Sequence, residues 1–146
     1  MQLDNLYRQI ILDHYNAPRN HGLIDGDATA VTLNNPTCGD RVAVQLAIDG
    51  GVVKEARFTA QGCSICIASA SMMTMAVKGK TVEQALRIAE DFSALVKGIP
   101  KSFDYTDIEA MANVHRFPAR GKCATLAWVA LTQGLTPRKP VDHSPA

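Results

Sequence analysis

The chain has 146 residues, 47% of them hydrophobic, with 15 basic and 14 acidic side chains, a size and composition that suit one domain with its own core rather than two. Near-neutral charge, 5% aromatic content and no basic block argue against a nucleic-acid groove or a membrane surface, and no apolar run reaches the ~18 residues of a bilayer span. The amino terminus lacks a charged region followed by an apolar core, so a cytoplasmic protein is expected. In a reducing compartment four cysteines suggest metal binding or thiol chemistry rather than disulfides.

From Leu3 to Tyr15 the residues Leu3, Leu6, Tyr7, Ile10, Ile11 and His14 fall at helical spacing, predicting an amphipathic helix packed across a sheet, with His14 as a hydrogen-bonded core or boundary residue. Pro18 and Gly22 end it. Ala28 to Asn34 reads as a strand, and Arg41 to Ile48 as a second, with Val42, Val44, Leu46 and Ile48 on one face. Between them Asn34-Asn35-Pro36-Thr37-Cys38-Gly39-Asp40 is a tight turn whose residue types hold the backbone open, carrying a thiol and a carboxylate. Asp49-Gly50-Gly51 closes a hairpin through an Asp-Gly turn, and Val52 to Ala60 returns with Phe58 and Ala60 inward.

Cys63 stands at a strand-to-helix junction ahead of a helix from Ile67 to Val77 rich in small residues. Thr81 to Gln84 fits a capping box opening a helix to about Lys97, which Gly98 terminates. Ile99 to Tyr105 reads as a loop, and Thr106 to Glu109 as a second capping box before a short helix to about Val114. His115 to Cys123 reads as an exposed loop delivering Cys123 to the start of a last helix, Ala124 to about Leu131, with Trp128 in the core. Residues 1–135 then form one domain and 136–146, with three prolines, a flexible tail. The expected fold is α+β, a small three-stranded antiparallel sheet packed by an N-terminal helix and several C-terminal helices.

Cys38, Asp40, Cys63 and Cys123 come from loops or helix starts that can lie at one end of such a sheet. Three thiolates and a carboxylate make a tetrahedral set for zinc. From the residues alone, buried inert thiols and a Cys63–Cys66 redox pair stand beside the metal site as alternatives.

The segments LYRQIILDHYNAPRNHG, LNNPTCGDRV, QGCSICIASASMMT and FPARGKCATLAW resemble, in order and separation, the motifs of the SufU branch of the IscU/NifU-type iron–sulfur cluster assembly proteins. The resemblance runs from the first predicted helix to the last. It implies an IscU/NifU-like fold and a metal held by Cys38, Asp40, Cys63 and Cys123. It also implies a SufS-like cysteine desulfurase as partner, with downstream iron–sulfur assembly factors or apoproteins as acceptors. Where the IscU branch has a His before the last cysteine this chain has Lys122, and Gly98 to Asn113 resembles an insertion of the SufU branch. Members with this pattern bind zinc and accept sulfur, so the resemblance implies a sulfurtransferase-like persulfide relay that acts with the desulfurase rather than as a stand-alone enzyme, with Cys38 as the expected acceptor and Cys123 as the second candidate. Arg120 and Lys122 are expected to offset the negative charge of the site or to meet an acidic patch on the partner. The rival implied by the wider family is a scaffold that binds iron or builds a transient [2Fe–2S] cluster. Cys66 departs from the Ser usual at its position.

Overall fold

A computed structural model describes residues 3–22, 29–35 and 39–136. Cys38 and residues 137–146, which make up nearly all of the expected tail, lie outside the described residues. Three strands, β1 (Thr29–Asn35), β2 (Asp40–Asp49) and β3 (Val52–Gln61), form an antiparallel sheet in the order β1-β2-β3. Four α-helices, α1 (Leu3–Asn16), α2 (Ser64–Val77), α3 (Val82–Leu95) and α4 (Pro118–Leu135), and a 3₁₀ helix (Thr106–Arg116) complete the α+β arrangement. Among the described residues no helix is long and apolar enough to cross a membrane.

The sheet register follows from alternation. Leu33, Val42 and Ala60 form one row across the strands and Val31, Val44 and Phe58 the next, followed by Leu46 beside Ala56. Val42, Val44, Ala56 and Phe58 are buried on that face, where fully burying a side chain such as Phe58 is worth about 1.5–3 kcal/mol. Ile48, expected on the same face, pairs with buried Val53 but is 42% exposed at the end of the strand; the register shift between Ala47 and Ile48 passes over Lys54, the extra residue of a bulge in β3. At the hairpin both positive φ values fall on Gly50 and Gly51 (62° and 78°) while Asp49 still pairs with Val52, so the turn pair is Gly-Gly rather than Asp-Gly.

α2 and α4 pack against the sheet and each other. α2 is buried on nearly every side, including Ala68, Ser69, Ala70, Ser71, Met72 and Met73, which is why its sequence shows small residues rather than an amphipathic stripe. α4 comes so close at Gly134 that a β-carbon there would lie 3.0 Å from Leu46 Cδ1. With that face taken, α1 packs on α2 and the 3₁₀ helix rather than across the sheet, and Leu6 is 54% exposed. The outer edge of β3 is paired as well. Gly22 N donates to Phe58 O (2.8 Å) and Val53 N to Lys80 O (2.8 Å), which protects an edge strand from pairing with another chain.

The Thr81 capping box forms as expected, Gln84 N donating to Thr81 Oγ1 (3.1 Å) and Thr81 N to Gln84 Oε1 (3.0 Å). The second capping box does not. Glu109 Oε2 instead accepts from Phe103 N (3.3 Å), and the segment that follows is a 3₁₀ helix without a side-chain cap. The largest departure lies in the stretch expected as a loop before Cys123. α4 starts at Pro118, because proline at the first helical position loses no needed hydrogen bond and brings a helical φ. Cys123, Arg120 and Lys122 therefore sit on α4 itself. α2 likewise begins at Ser64 rather than Ile67, directly after Cys63.

Trp128, 2% exposed, stacks on Phe92 with ring centroids 4.5 Å apart. Its Nε1–H donates to Ser69 Oγ (3.0 Å), and Ser69 donates to Ala124 O (2.5 Å). This buried relay joins α2 to α4 one residue beyond Cys123.

Candidate metal centre

Asp40 is the first residue of β2, paired with Asn35 at the end of β1, and is 3% exposed. The pairing of Arg41 with Gln61 brings the end of β3 back beside Asp40. Gly62 and Cys63 follow at once. Cys63 is the residue before α2, in extended conformation (φ −75°, ψ 170°), and its side chain makes no cap hydrogen bond. Its N–H donates to Asp40 Oδ1 (3.3 Å) and its Sγ lies 3.8 Å from Asp40 Oδ2. Gly62 is required by this proximity, because a β-carbon there would lie 2.7 Å from the Asp40 carboxyl carbon.

Cys123 enters from the second turn of α4 and is 2% exposed. One oxygen of Asp40 and the sulfurs of Cys63 and Cys123 all lie within 4.8 Å of one another. Around a tetrahedral ion with bonds of ~2.0–2.3 Å the ligand atoms stand ~3.3–3.8 Å apart, so a small side-chain adjustment closes this set. Two soft sulfurs and a carboxylate suit zinc or iron better than a hard cation such as magnesium. Three of the four expected ligands thus converge, and the fourth, Cys38, lies outside the described residues.

Arg120 precedes Cys123 by three residues on α4, which puts the two on neighbouring faces. Its exposed guanidinium faces the sulfurs. The charge and hydrogen bond of Cys63, and after them those of Cys123, hold its pKa above the usual arginine value. Lys122 is exposed on the same helix. Cys66, one turn into α2, is fully buried and lies outside the ligand cluster.

A second polar cluster was not foreseen beyond His14 itself. His14 is fully buried, with Nδ1 2.7 Å from Ser71 Oγ and Nε2 2.9 Å from Asp107 Oδ2 and 3.0 Å from Tyr105 Oη. Ser71 Oγ already accepts from Arg19 N (2.8 Å) and Tyr105 donates to Asp107 (3.0 Å). The donors balance when Ser71 donates to Nδ1 and Nε2–H points at the Asp107 carboxylate, which is the neutral imidazole. Burial, the largest influence, lowers the His14 pKa against the opposing hydrogen bond to Asp107. Tyr105 is pushed up to about 12, chiefly by burial and then by the Asp107 charge. Ser, His and Asp stand in the order of a hydrolase triad, yet Ser71 and His14 are fully buried where no substrate reaches. The cluster fastens the 3₁₀ helix to α1 and α2. Its partners lie 57 and 93 residues from His14, beyond any local sequence signal.

The NifU-like N terminal domain family matches residues 6–137, and the chain belongs to that family. The zinc-dependent sulfurtransferase SufU of Bacillus subtilis is 52% identical over 135 residues, covering 91% of each chain. The iron–sulfur cluster assembly scaffold protein IscU of Streptococcus pyogenes is 41% identical over 144 residues, 97% of this chain and 90% of the relative. Within the family this chain falls in the SufU branch. A crystal structure of a hypothetical protein, 42% identical, superposes with a TM-score of 0.85 over 90% of this chain and 98% of that one.

Proposed function

We propose that this protein is a zinc-dependent sulfur acceptor of iron–sulfur cluster assembly, taking persulfide sulfur from a SufS-like cysteine desulfurase and passing it to downstream assembly factors or apoproteins. The observation that carries the reading is the convergence of Asp40, Cys63 and Cys123 within 4.8 Å. The resemblance to a zinc-dependent sulfurtransferase over 91% of the chain supports it. Cys38 is the fourth member of the set, since it stands two residues from Asp40 and covalent geometry keeps their α-carbons within ~7 Å. Zinc, when bound, keeps thiols deprotonated near neutral pH without redox chemistry of its own.

The residues of the chain divide the remaining work. Cys63 N–H orients the Asp40 carboxylate, and Gly62 leaves it room. Cys38 is the acceptor: its thiolate attacks the outer sulfur of the desulfurase persulfide, a new S–S bond forms, the bond to the desulfurase cysteine breaks, and that cysteine leaves as a thiolate. The burial of Cys123 disfavours it as acceptor, because a partner's persulfide must come within bonding distance of the attacking sulfur. Arg120 offsets the negative charge of the thiolates and meets the partner.

The likeness to IscU scaffolds keeps a second reading, transient [2Fe–2S] assembly, in view. Lys122 stands where that branch has a histidine ligand, which favours the relay. Metal analysis of the protein as purified separates the two: one zinc per chain and no visible chromophore supports the relay, whereas iron and sulfide with an absorbing cluster overturns it.

A further inference from the structure

Cys66 has no part in the proposed relay, yet its placement relative to Cys63 is specific. The run Cys63-Ser64-Ile65-Cys66 puts one sulfur on the residue before α2 and the other on the third residue of the helix. Both are reduced. Their exposure differs, Cys63 being half-buried and Cys66 fully buried behind it. Side chains three apart on a helix have β-carbons about 5–6 Å apart, and a disulfide needs about 3.5–4.5 Å. Cys63 has extended backbone and no side-chain cap bond to break, so closure asks for a turn of Cys63 away from Asp40 and a slight opening of the first helical turn.

We propose that Cys63 and Cys66 form a resolving pair, in which oxidation of Cys63 by a hydroperoxide ends in a Cys63–Cys66 disulfide and removes Cys63 from the ligand cluster. In the first step the Cys63 sulfur attacks the peroxide, the O–O bond breaks, Cys63 becomes a sulfenic acid and an alcohol or water leaves. In the second, Cys66 attacks that sulfur, the S–S bond forms and water leaves. The two thiols supply the two electrons that the peroxide takes up. A dithiol reductant reverses the change. Accessible cysteines beside a resolving thiol stop at the disulfide, whereas isolated ones proceed to sulfinic acid and are lost. The consequence is a site that disassembles reversibly under oxidation, with Asp40 and Cys123 left in place. Metal release follows from the zinc reading above, but the disulfide itself does not depend on it.

The test treats the full chain with at least two equivalents of hydrogen peroxide per Cys63, enough to carry an unresolved sulfenic acid on to sulfinic acid, alkylates the remaining thiols, and maps tryptic peptides while a zinc indicator dye is followed. No Lys or Arg separates Cys63 from Cys66, so both fall in peptide 58–78, and Cys123 falls in 123–138. The expected result is an unalkylated peptide 58–78 lighter by two hydrogens, with dithiothreitol restoring two alkylatable thiols. In Cys66→Ser the same treatment leaves Cys63 carrying two added oxygens that dithiothreitol does not remove. A cross-link between peptides 58–78 and 123–138, or full alkylation of 58–78 after peroxide, overturns the pairing. The wild-type map decides this even if the variant fails to fold. If the disulfide forms in protein that held no zinc at the outset, the pairing stands and the zinc reading falls.

Discussion

Gly62→Ala tests how closely Asp40 is fitted to the thiols. The added β-carbon would sit 2.7 Å from Asp40 Cγ and 3.1 Å from its Cβ, against ~3.5–4.0 Å for relaxed carbon contacts. The carboxylate must therefore retreat by about 1 Å, far enough to lose the 3.3 Å hydrogen bond from Cys63 N. Disturbing a group that orients a metal ligand typically costs about 10–100-fold in metal affinity, or about 1.4–2.7 kcal/mol. Overpacking costs about 1–3 kcal/mol of folding stability by itself, a loss separate from the loss of zinc affinity. Competition titration of zinc against a chelator, beside urea unfolding of the metal-free protein, reads both. Zinc affinity within twofold of wild type with reduced stability would mean that the backbone yields and the carboxylate does not, refuting the reasoning.

Further expectations rest on His14 and Arg120. Because burial holds the His14 pKa below its ordinary 6.5, the unfolded chain binds the proton first as pH falls. The stability that neutral His14 contributes is complete above pH 6.5 and is lost between there and its lower folded pKa. His14→Gln should cost about 1–3 kcal/mol at pH 7.5 by leaving buried partners unsatisfied, and the gap to wild type in urea unfolding should narrow toward pH 5.5; a gap that widens would contradict the neutral assignment. Arg120→Ala should lower desulfurase activation roughly tenfold, as removal of a steering charge does, while zinc affinity falls much less. Equal losses of both would place Arg120 in the metal site alone.

Local chemistry made much of this fold readable from the chain. The Thr81–Gln84 box, the Gly-rich hairpin and the alternation of Val42, Val44 and Leu46 are each decided within a few residues, and each forms. Pro118 and Gly121 read as loop residues because both break helices in the interior, yet proline at the first position starts one. The second capping box failed because Glu109 found the Phe103 N–H instead, a competition invisible to a four-residue pattern. At the site, Asp40 on its turn and Cys63 at the strand-to-helix junction were legible as candidates from local chemistry, while their grouping with Cys123 came from the family resemblance. The role of Gly62 was not, since it depends on a contact across 22 residues that only the closed sheet creates.

The central claim is that Cys38 accepts sulfur while the ligand set keeps its zinc. The most direct measurement is to mix the zinc-loaded protein with a cysteine desulfurase and cysteine, then locate added sulfur by peptide mass while counting zinc per chain. One added sulfur on Cys38, with zinc held at one per chain, is the predicted result. Sulfur found only on Cys63 or Cys123, or none added while the desulfurase turns over, would contradict the account.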